Sequence, residues 1–225
     1  MILSVGTLQL CLFFILINLG IARLSAGRSI ILAYTTTLFV VPLAGPLIGE
    51  WPNRRQLLGV AIGFAGVGLL LWPALAQVEG LAGWAGYLFL LGAALCWALA
   101  ILHARNHRWR LSPLQAMPWQ MGYAALLLVP LGFVLEPEGG VAWSARALVP
   151  LAYLGIVAGP TITWSLTSVA RMLPAVAASL GFLVTPIAGV ALAALWLGEP
   201  VGADLAAGGL LVLAGAGVAI VAGRR

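Results

Sequence analysis

Long apolar segments, separated by short polar ones, make up almost the whole chain. Several reach about 18 to 20 residues without a charge, the length that crosses a bilayer as a helix. They lack the strict polar–apolar alternation of a membrane β-strand. Backbone groups in lipid must hydrogen-bond internally, so the segments are predicted to be helices. The pattern predicts eight spans: Val5–Ala22, Ile30–Gly49, Leu57–Ala76, Leu81–His103, Leu114–Leu135, Ala147–Val169, Ala175–Leu197 and Ala203–Val221.

The composition supports an all-α polytopic membrane protein built as one bundle. Hydrophobic residues make up 63% of the chain and charged residues 8%, against about 25% charged in ordinary soluble domains. The basic pI of 10.0 raises the question of nucleic-acid binding. However, the basic residues are all arginines set between apolar segments, which is typical of topology signals. We therefore predict the lipid bilayer as a partner and no nucleic acid.

The arginines also predict the orientation of the chain. Numbering the loops alternately puts eight arginines on one side of the membrane and three on the other. Arginines concentrate in cytoplasmic loops, so the sequence predicts a multi-pass protein of the inner or plasma membrane with both termini in the cytoplasm. The first group is Arg54, Arg55, Arg105, Arg108, Arg110, Arg171, Arg224 and Arg225, and the second is Arg23, Arg28 and Arg146.

One helical hairpin occurs twice in the chain, as Leu24–Gly68 and as Leu173–Gly217. The two copies align without a gap at a shift of 149 positions, which places Leu24 on Leu173. Self-similarity at a fixed shift indicates a structural repeat. The positions that coincide include two Gly-Glu turns and three glycines beyond them: Gly49-Glu50 with Gly198-Glu199, and Gly59, Gly66 and Gly68 with Gly208, Gly215 and Gly217.

The repeat and the span count together predict an inverted architecture. The copies begin at the second and seventh spans, so five spans separate them and they enter the membrane in opposite directions. Inverted repeats are the architecture of secondary transporters that work by alternating access. We expect residues 1–76 to be the last three helices of a first five-helix unit and residues 81–222 to be a complete second unit. Ten spans are then expected, and the first two precede this chain, or its start is wrongly assigned, or it is a reduced form.

Several motifs resemble the EamA-type transporters of the drug/metabolite transporter superfamily. They include Ala170-Arg171-Met172-Leu173-Pro174-Ala175, Thr185-Pro186 and Leu197-Gly198-Glu199-Pro200. Ala94-Leu95-Cys96-Trp97-Ala98 is similar to the opening span of the second family repeat. Where the family commonly has a proline in the first repeat, this chain has Thr37. The resemblance implies a ten-helix carrier that exports amino acids, drugs or other small metabolites.

Polar and aromatic residues inside the spans are the candidates for a substrate cavity. Proline removes a backbone hydrogen bond and can free carbonyl groups toward a cavity, although such kinks also serve packing alone. Aromatic walls with a few polar groups suit small organic ligands. The candidate lining residues are Tyr34, Trp97, Gln120, Tyr123, Thr161, Trp164, Ser165 and Thr185, with Gly159, Pro160 and Pro186 as helix-breaking or gating positions.

Carboxylates are confined to the ends of the predicted spans. Glu50 and Glu199 mark the two repeat turns, where we expect them to end a helix or to pair with an arginine rather than to carry protons. The glycines beyond the turns allow close helix contact. That contact is either within one bundle or between two copies in a homodimer, and we favour the first.

The sequence contains few residues for catalysis. His103 and His107 are four positions apart, but Ala104 replaces the glutamate of a zinc-protease motif. We therefore predict no catalytic residue, no metal and no cofactor. The favoured function is transport of a small-molecule substrate by alternating access. A non-transporting remnant or assembly partner is the alternative, followed by a membrane-embedded enzyme.

Overall fold

Eight helices occupy the positions predicted for the spans. The computed structural model describes residues 2–76, 80–106, 113–135, 144–159, 161 and 175–223. Within these ranges every regular element is a helix, so the prediction of an all-α polytopic fold is confirmed. We number the helices α1 (Ile2–Val5, the π-helical Gly6–Leu12 and Phe13–Ile21), α2 (Ala26–Ala33 and Thr36–Ile48), α3 (Arg54–Ala76), α4 (Gly80–Asn106), α5 (Pro113–Leu135), α6 (Ala145–Ala152 and the π-helical Tyr153–Ala158), α7 (Ala175–Leu197) and α8 (Ala203–Ala222).

The bundle has the surface of a membrane protein. In the part that the structure describes, four stretches are long and apolar enough to cross a membrane: Ala26–Ile48, Arg54–Trp72, Trp84–Ala104 and Ala203–Ala222. Large apolar side chains such as Leu126, Phe133 and Leu195 are largely exposed. A soluble monomer rarely exposes so much apolar surface, whereas lipid tails cover it without cost.

Glycines bring the backbones of α3 and α8 into direct contact. A methyl group on Gly59 would lie 2.6 Å from the carbonyl oxygen of Gly215, and one on Gly66 would lie 2.6 Å from that of Gly208. No larger residue fits at these positions without moving a helix. The contact is therefore within one chain, as the sequence analysis favoured, and it combines backbone contact with side chains such as Leu70 and Leu211.

The buried core lies where α2, α3, α4 and α8 meet. It contains Leu32 and Leu38 of α2, Leu70 of α3, Leu90 of α4 and Val212 of α8, all with no exposed area. Helix α1 packs on α4 and α5, and α7 packs on the Ala26–Ala33 half of α2. Close packing of these apolar side chains positions the two halves of α2 in the middle of the bundle.

Helix α2 is interrupted at Tyr34 and Thr35. The Thr35 hydroxyl donates to the Leu32 carbonyl at 2.6 Å, and the Thr36 hydroxyl donates to the Ala33 carbonyl at 2.9 Å. These hydroxyls satisfy carbonyl groups near the break, which matters where no water can do so. The interruption lies close to Thr37, although prolines elsewhere in α2, at Pro42 and Pro46, leave the helix continuous.

The two Gly-Glu turns have the same backbone conformation. Gly49 and Gly198 both have a positive φ, 77° and 66°, which glycine adopts without the steric penalty of a side chain. The next N–H group folds back over the preceding helix in both turns. Glu50 donates to the Ala44 carbonyl at 3.2 Å, and Glu199 donates to the Ala193 carbonyl at 3.3 Å. Such a turn ends each helix by satisfying one of its last carbonyl groups.

Candidate functional site

A cavity of about 400 Å³ lies between α1, α2 and α7. Two of the predicted lining residues, Tyr34 and Thr185, contribute to its wall, one from each copy of the repeated hairpin. The cavity lies at the interruption of α2. Tyr34, which lines it, is one of the two residues between the halves of that helix. The full lining is Ile17, Ile21, Ala26, Ser29, Ile30, Ala33, Tyr34, Thr185 and Gly189.

The cavity combines an apolar wall with a few hydroxyl groups. Ser29, Tyr34 and Thr185 supply the hydroxyls, and the Ser29 hydroxyl donates to the Ser25 carbonyl at 2.9 Å, which leaves its oxygen free to accept. Among the described lining residues there is no charged side chain. A site of this kind offers dispersion contacts and a small number of oriented hydrogen bonds.

Pro186 lies beside this cavity and is fully buried. Proline has no N–H group, so α7 lacks the hydrogen bond that residue 186 would otherwise donate one turn back. The carbonyl group of residue 182 therefore receives no hydrogen bond from position 186. The helix can bend there, or this carbonyl can accept from another donor. In the repeat register Thr185-Pro186 corresponds to Thr36-Thr37, the two residues that directly follow the interruption of α2.

The structure places three other predicted residues away from this cavity. The Trp97 ring packs on Phe13, with ring centroids 4.6 Å apart, between α4 and α1. The Tyr123 hydroxyl lies 3.0 Å from the Thr7 hydroxyl, and Gln120 is half-buried on the same helix. A side chain at Gly6 would lie 2.9 Å from the Tyr123 ring. These residues join α5 and α4 to α1.

The predicted residues of α6 are only partly described. Gly159 is half-buried and follows the π-helical segment, and Thr161 is exposed. Pro160, Trp164 and Ser165 lie outside the described residues. Their place in a cavity stays a prediction.

Within the described residues, His103 is not part of a metal site. Its Nε2 atom lies 2.9 Å from the Ser4 hydroxyl, and it borders a second cavity of about 340 Å³ between α1, α2 and α4. His107 lies outside the described residues. In the ranges that the structure describes, no three His, Cys, Asp or Glu side chains gather as metal ligands would.

A polar cluster that the sequence analysis did not predict lies at the beginning of α2. The Arg28 guanidinium forms an ion pair with Asp204 and donates to the Tyr87 hydroxyl at 2.8 Å. It also donates to the Leu70 carbonyl at 3.4 Å. The sequence analysis treated Arg28 only as a loop charge and assigned no role to Asp204. Their position at the first turns of α2 and α8 is the signal that could have indicated a pair.

Glu199 binds backbone rather than an arginine. Its carboxylate accepts from the N–H group of Ala26 at 2.7 Å and from that of Gly27 at 3.0 Å. Ser25 caps the same helix end, because its hydroxyl oxygen accepts from the Arg28 N–H at 3.5 Å. These acceptors explain why α2 begins at Ala26, four residues before the predicted Ile30. Glu50, the equivalent turn residue, is exposed at the opposite end of α2.

Together these features define a polytopic helical membrane protein with a cavity between α1, α2 and α7. The EamA-like transporter family matches residues 1–72 and 84–221, and the chain belongs to that family. It is therefore a membrane transporter of the drug/metabolite transporter superfamily.

Two curated relatives are also named as transporters. The chain is 24% identical to the uncharacterized transporter YvbV of Bacillus subtilis over 92% of its own length and 67% of the relative's. It is 22% identical to the uncharacterized transporter YoaV of the same organism, over 89% and 68%. No solved structure shows a significant match.

Proposed function

We propose that this chain exports small metabolites such as amino acids or drugs from the cell across the inner or plasma membrane. The observation that carries the proposal is the cavity between α1, α2 and α7. It lies beside the interruption of α2 and beside Pro186 of α7, and its volume falls within the range of about 300–1,000 Å³ that is typical of small-molecule sites.

The lining favours a largely apolar substrate with one or two hydrogen-bonding groups. Isoleucine and alanine side chains form most of the wall, and hydroxyls are its polar side chains. Among the described lining residues nothing charged is present to compensate a strongly charged ligand, and burying an unpaired charge is costly. Uncharged metabolites and small aromatic drugs fit this chemistry better than zwitterionic amino acids do.

Alternating access between inverted repeats is the proposed mechanism. Two observations support it: the Gly-Glu turns share one backbone conformation, and they lie at opposite ends of α2. Glu50 follows the end of that helix, while Glu199 contacts its beginning. Copies inserted in opposite directions require this arrangement.

The test is flux in proteoliposomes that contain the purified chain. Saturable uptake or efflux is measured for apolar amino acids and aromatic drugs. Tyr34→Ala and Thr185→Val should lower kcat/KM about 10-fold or more, since each removes a group that contacts the substrate. The control is Tyr153→Ala, which removes an exposed tyrosine from the lipid-facing surface and should leave flux unchanged.

Two results would contradict the proposal. An equal loss in Tyr34→Ala and Tyr153→Ala would place the substrate elsewhere. Absence of any flux from correctly inserted protein would favour the alternative, a non-transporting remnant or assembly partner.

A further inference from the structure

The Glu199 carboxylate joins the two hairpin copies at one end of the cavity. It belongs to the second copy, and the N–H groups that it binds, at 2.7 and 3.0 Å, begin α2 of the first copy. Ala26 also lines the cavity. Hydrogen bonds from a helix N-terminus to a carboxylate are charge-assisted and stronger than neutral ones. Any movement that opens the cavity between α2 and the α7–α8 turn must break them.

The repeat register assigns a partner to Glu50. Shifting by the same 149 positions that place Leu24 on Leu173 converts Glu199 into Glu50, and Ala26 and Gly27 into Ala175 and Val176. Ala175 is the first residue of α7 that the structure describes. The two turns have the same backbone conformation, so each holds its glutamate at the same place after a helix end.

The glycine contacts of α3 and α8 show that contacts exchange between the copies in this register. Gly59 meets Gly215, and Gly66 meets Gly208. Under the same shift, Gly59 corresponds to Gly208 and Gly66 to Gly215, so each contact is the other with the copies exchanged. A two-fold relation between the hairpins has this property. Applied to the Glu199–Ala26 contact, it gives a contact between Glu50 and Ala175.

We propose that Glu199 and Glu50 are reciprocal positioning residues of the transport cycle. This inference rests on the proposed alternating access. Glu199 closes one end of the substrate route by binding the first N–H groups of α2. Glu50 closes the other end by binding the N–H groups of residues 175 and 176 at the beginning of α7. Opening toward either side breaks one of these contacts and keeps the other.

The two closures are not equal. At the Glu199 end, the ion pair between Arg28 and Asp204 also joins α2 to α8. In the repeat register these positions are Ala177 and Arg55, which cannot form an ion pair. The Glu199 end therefore keeps this ion pair after its carboxylate is removed, and the repeat register gives the Glu50 end no equivalent of it.

The experiment measures how fast a cysteine in the cavity reacts from each side of the membrane. The background lacks Cys11 and Cys96, and Ala33→Cys supplies one reporter in the cavity wall. A membrane-impermeant maleimide is added to right-side-out or to inside-out vesicles. Substrate is not needed.

Glu199→Ala should raise labelling from the compartment that the Glu199 end faces, and Glu50→Ala should raise it from the opposite compartment by about tenfold. Glu199→Ala should have the smaller effect, and adding Asp204→Asn should increase it. Glu199→Gln and Glu50→Gln, which keep an acceptor oxygen, should restore part of the closure. Glu138→Gln removes a carboxylate that the sequence places between the fifth and sixth predicted spans, and serves as the control.

A second variant removes the donor instead of the acceptor. Ala26→Pro deletes one N–H group at the first position of a helix, where proline is well tolerated. It should reproduce part of the Glu199→Ala effect on the same side.

The inference is overturned if neither glutamate variant changes labelling, or if both raise it from the same side. It is also overturned if Ala26→Pro has no effect where Glu199→Ala does. Because labelling needs no substrate, its sidedness is independent of flux. If the variants change the side of labelling as expected but no flux is measured, the transport proposal alone is contradicted.

Discussion

Arg28 connects more helices than any other charged side chain described above. It starts in α2, pairs with Asp204 of α8, and donates to Tyr87 of α4 and to the Leu70 carbonyl of α3. A guanidinium serves several acceptors because its donors lie in one rigid plane. At 21% exposure for Arg28 and 24% for Asp204, the pair is sheltered enough for its geometry to affect stability.

Replacing Arg28 with lysine should destabilise the protein by about 1–2 kcal/mol, because an ammonium group cannot reach these acceptors together. The loss is read as a lower unfolding temperature in detergent. Arg54→Lys, at an exposed position, is the control. A similar drop in both variants would show that the cluster contributes nothing particular, and a double variant with Asp204→Asn should lose little beyond Arg28→Lys alone.

At this scale the sequence identified some residues of the cavity and missed others. Tyr34 and Thr185 were found because an aromatic ring or a hydroxyl next to a proline stands out within an apolar span. Ser29 and Ile17 carry no such signal. Arg28 was missed because its acceptors come from three distant segments, and sequence position does not specify such a meeting.

Helices α3 and α8 form a pair whose backbones are in direct contact. Its four glycines leave no space for a Cβ atom, so the helices approach more closely than side chains would allow. Without a hydrophobic driving force in lipid, close van der Waals packing is a main source of helix association. The stability of this pair therefore depends on the absence of side chains at these glycines.

Gly59→Ala should destabilise the fold by about 1–3 kcal/mol, because its methyl group would meet the Gly215 carbonyl and the Ala219 N–H. Gly68→Ala is a matched control on the same helix, since a methyl group there meets nothing within 4 Å. It should be neutral or slightly stabilising, because alanine favours helix more than glycine does. Thermal unfolding of the two variants in one detergent compares them, and equal losses would refute close packing at Gly59.

Helix positions were predictable from the sequence, but helix ends and helix partners were less so. Apolar periodicity requires only local information, and within the described residues a helix lies at each of the eight predicted spans, of which the sixth is described only in part. The beginning of α2 was predicted too late because Glu199, one of its caps, comes from the far end of the chain. Trp97 was assigned to the cavity on depth alone, whereas its neighbour Phe13 places it between α4 and α1.

For the whole molecule, the arginine distribution predicts which end of the bundle faces the cytoplasm. Arg54 and Arg55 lie at the beginning of α3, near Glu50. Arg28 lies at the other end of α2, near Glu199. The positive-inside rule then places the Glu50 end in the cytoplasm.

A topology experiment checks this prediction. In the cysteine-free background, Val201→Cys should react with an impermeant maleimide added to intact cells, whereas Trp51→Cys should react only after the membrane is permeabilised. Both positions are exposed. The reverse pattern would show that the arginine count fails for this chain.

The interruption of α2 has a mechanical consequence. The Ala26–Ala33 half packs on α7, α4 and α8, while the Thr36–Ile48 half packs on α4, α3 and α8 and, among the described residues, hardly on α7. Threonine hydroxyls already satisfy carbonyls at the junction, so bending there costs little hydrogen bonding. Tyr34 lies at this junction and also in the cavity wall. In the proposed function, a molecule bound in the cavity would press on Tyr34, and its size would set the angle between the two halves of α2.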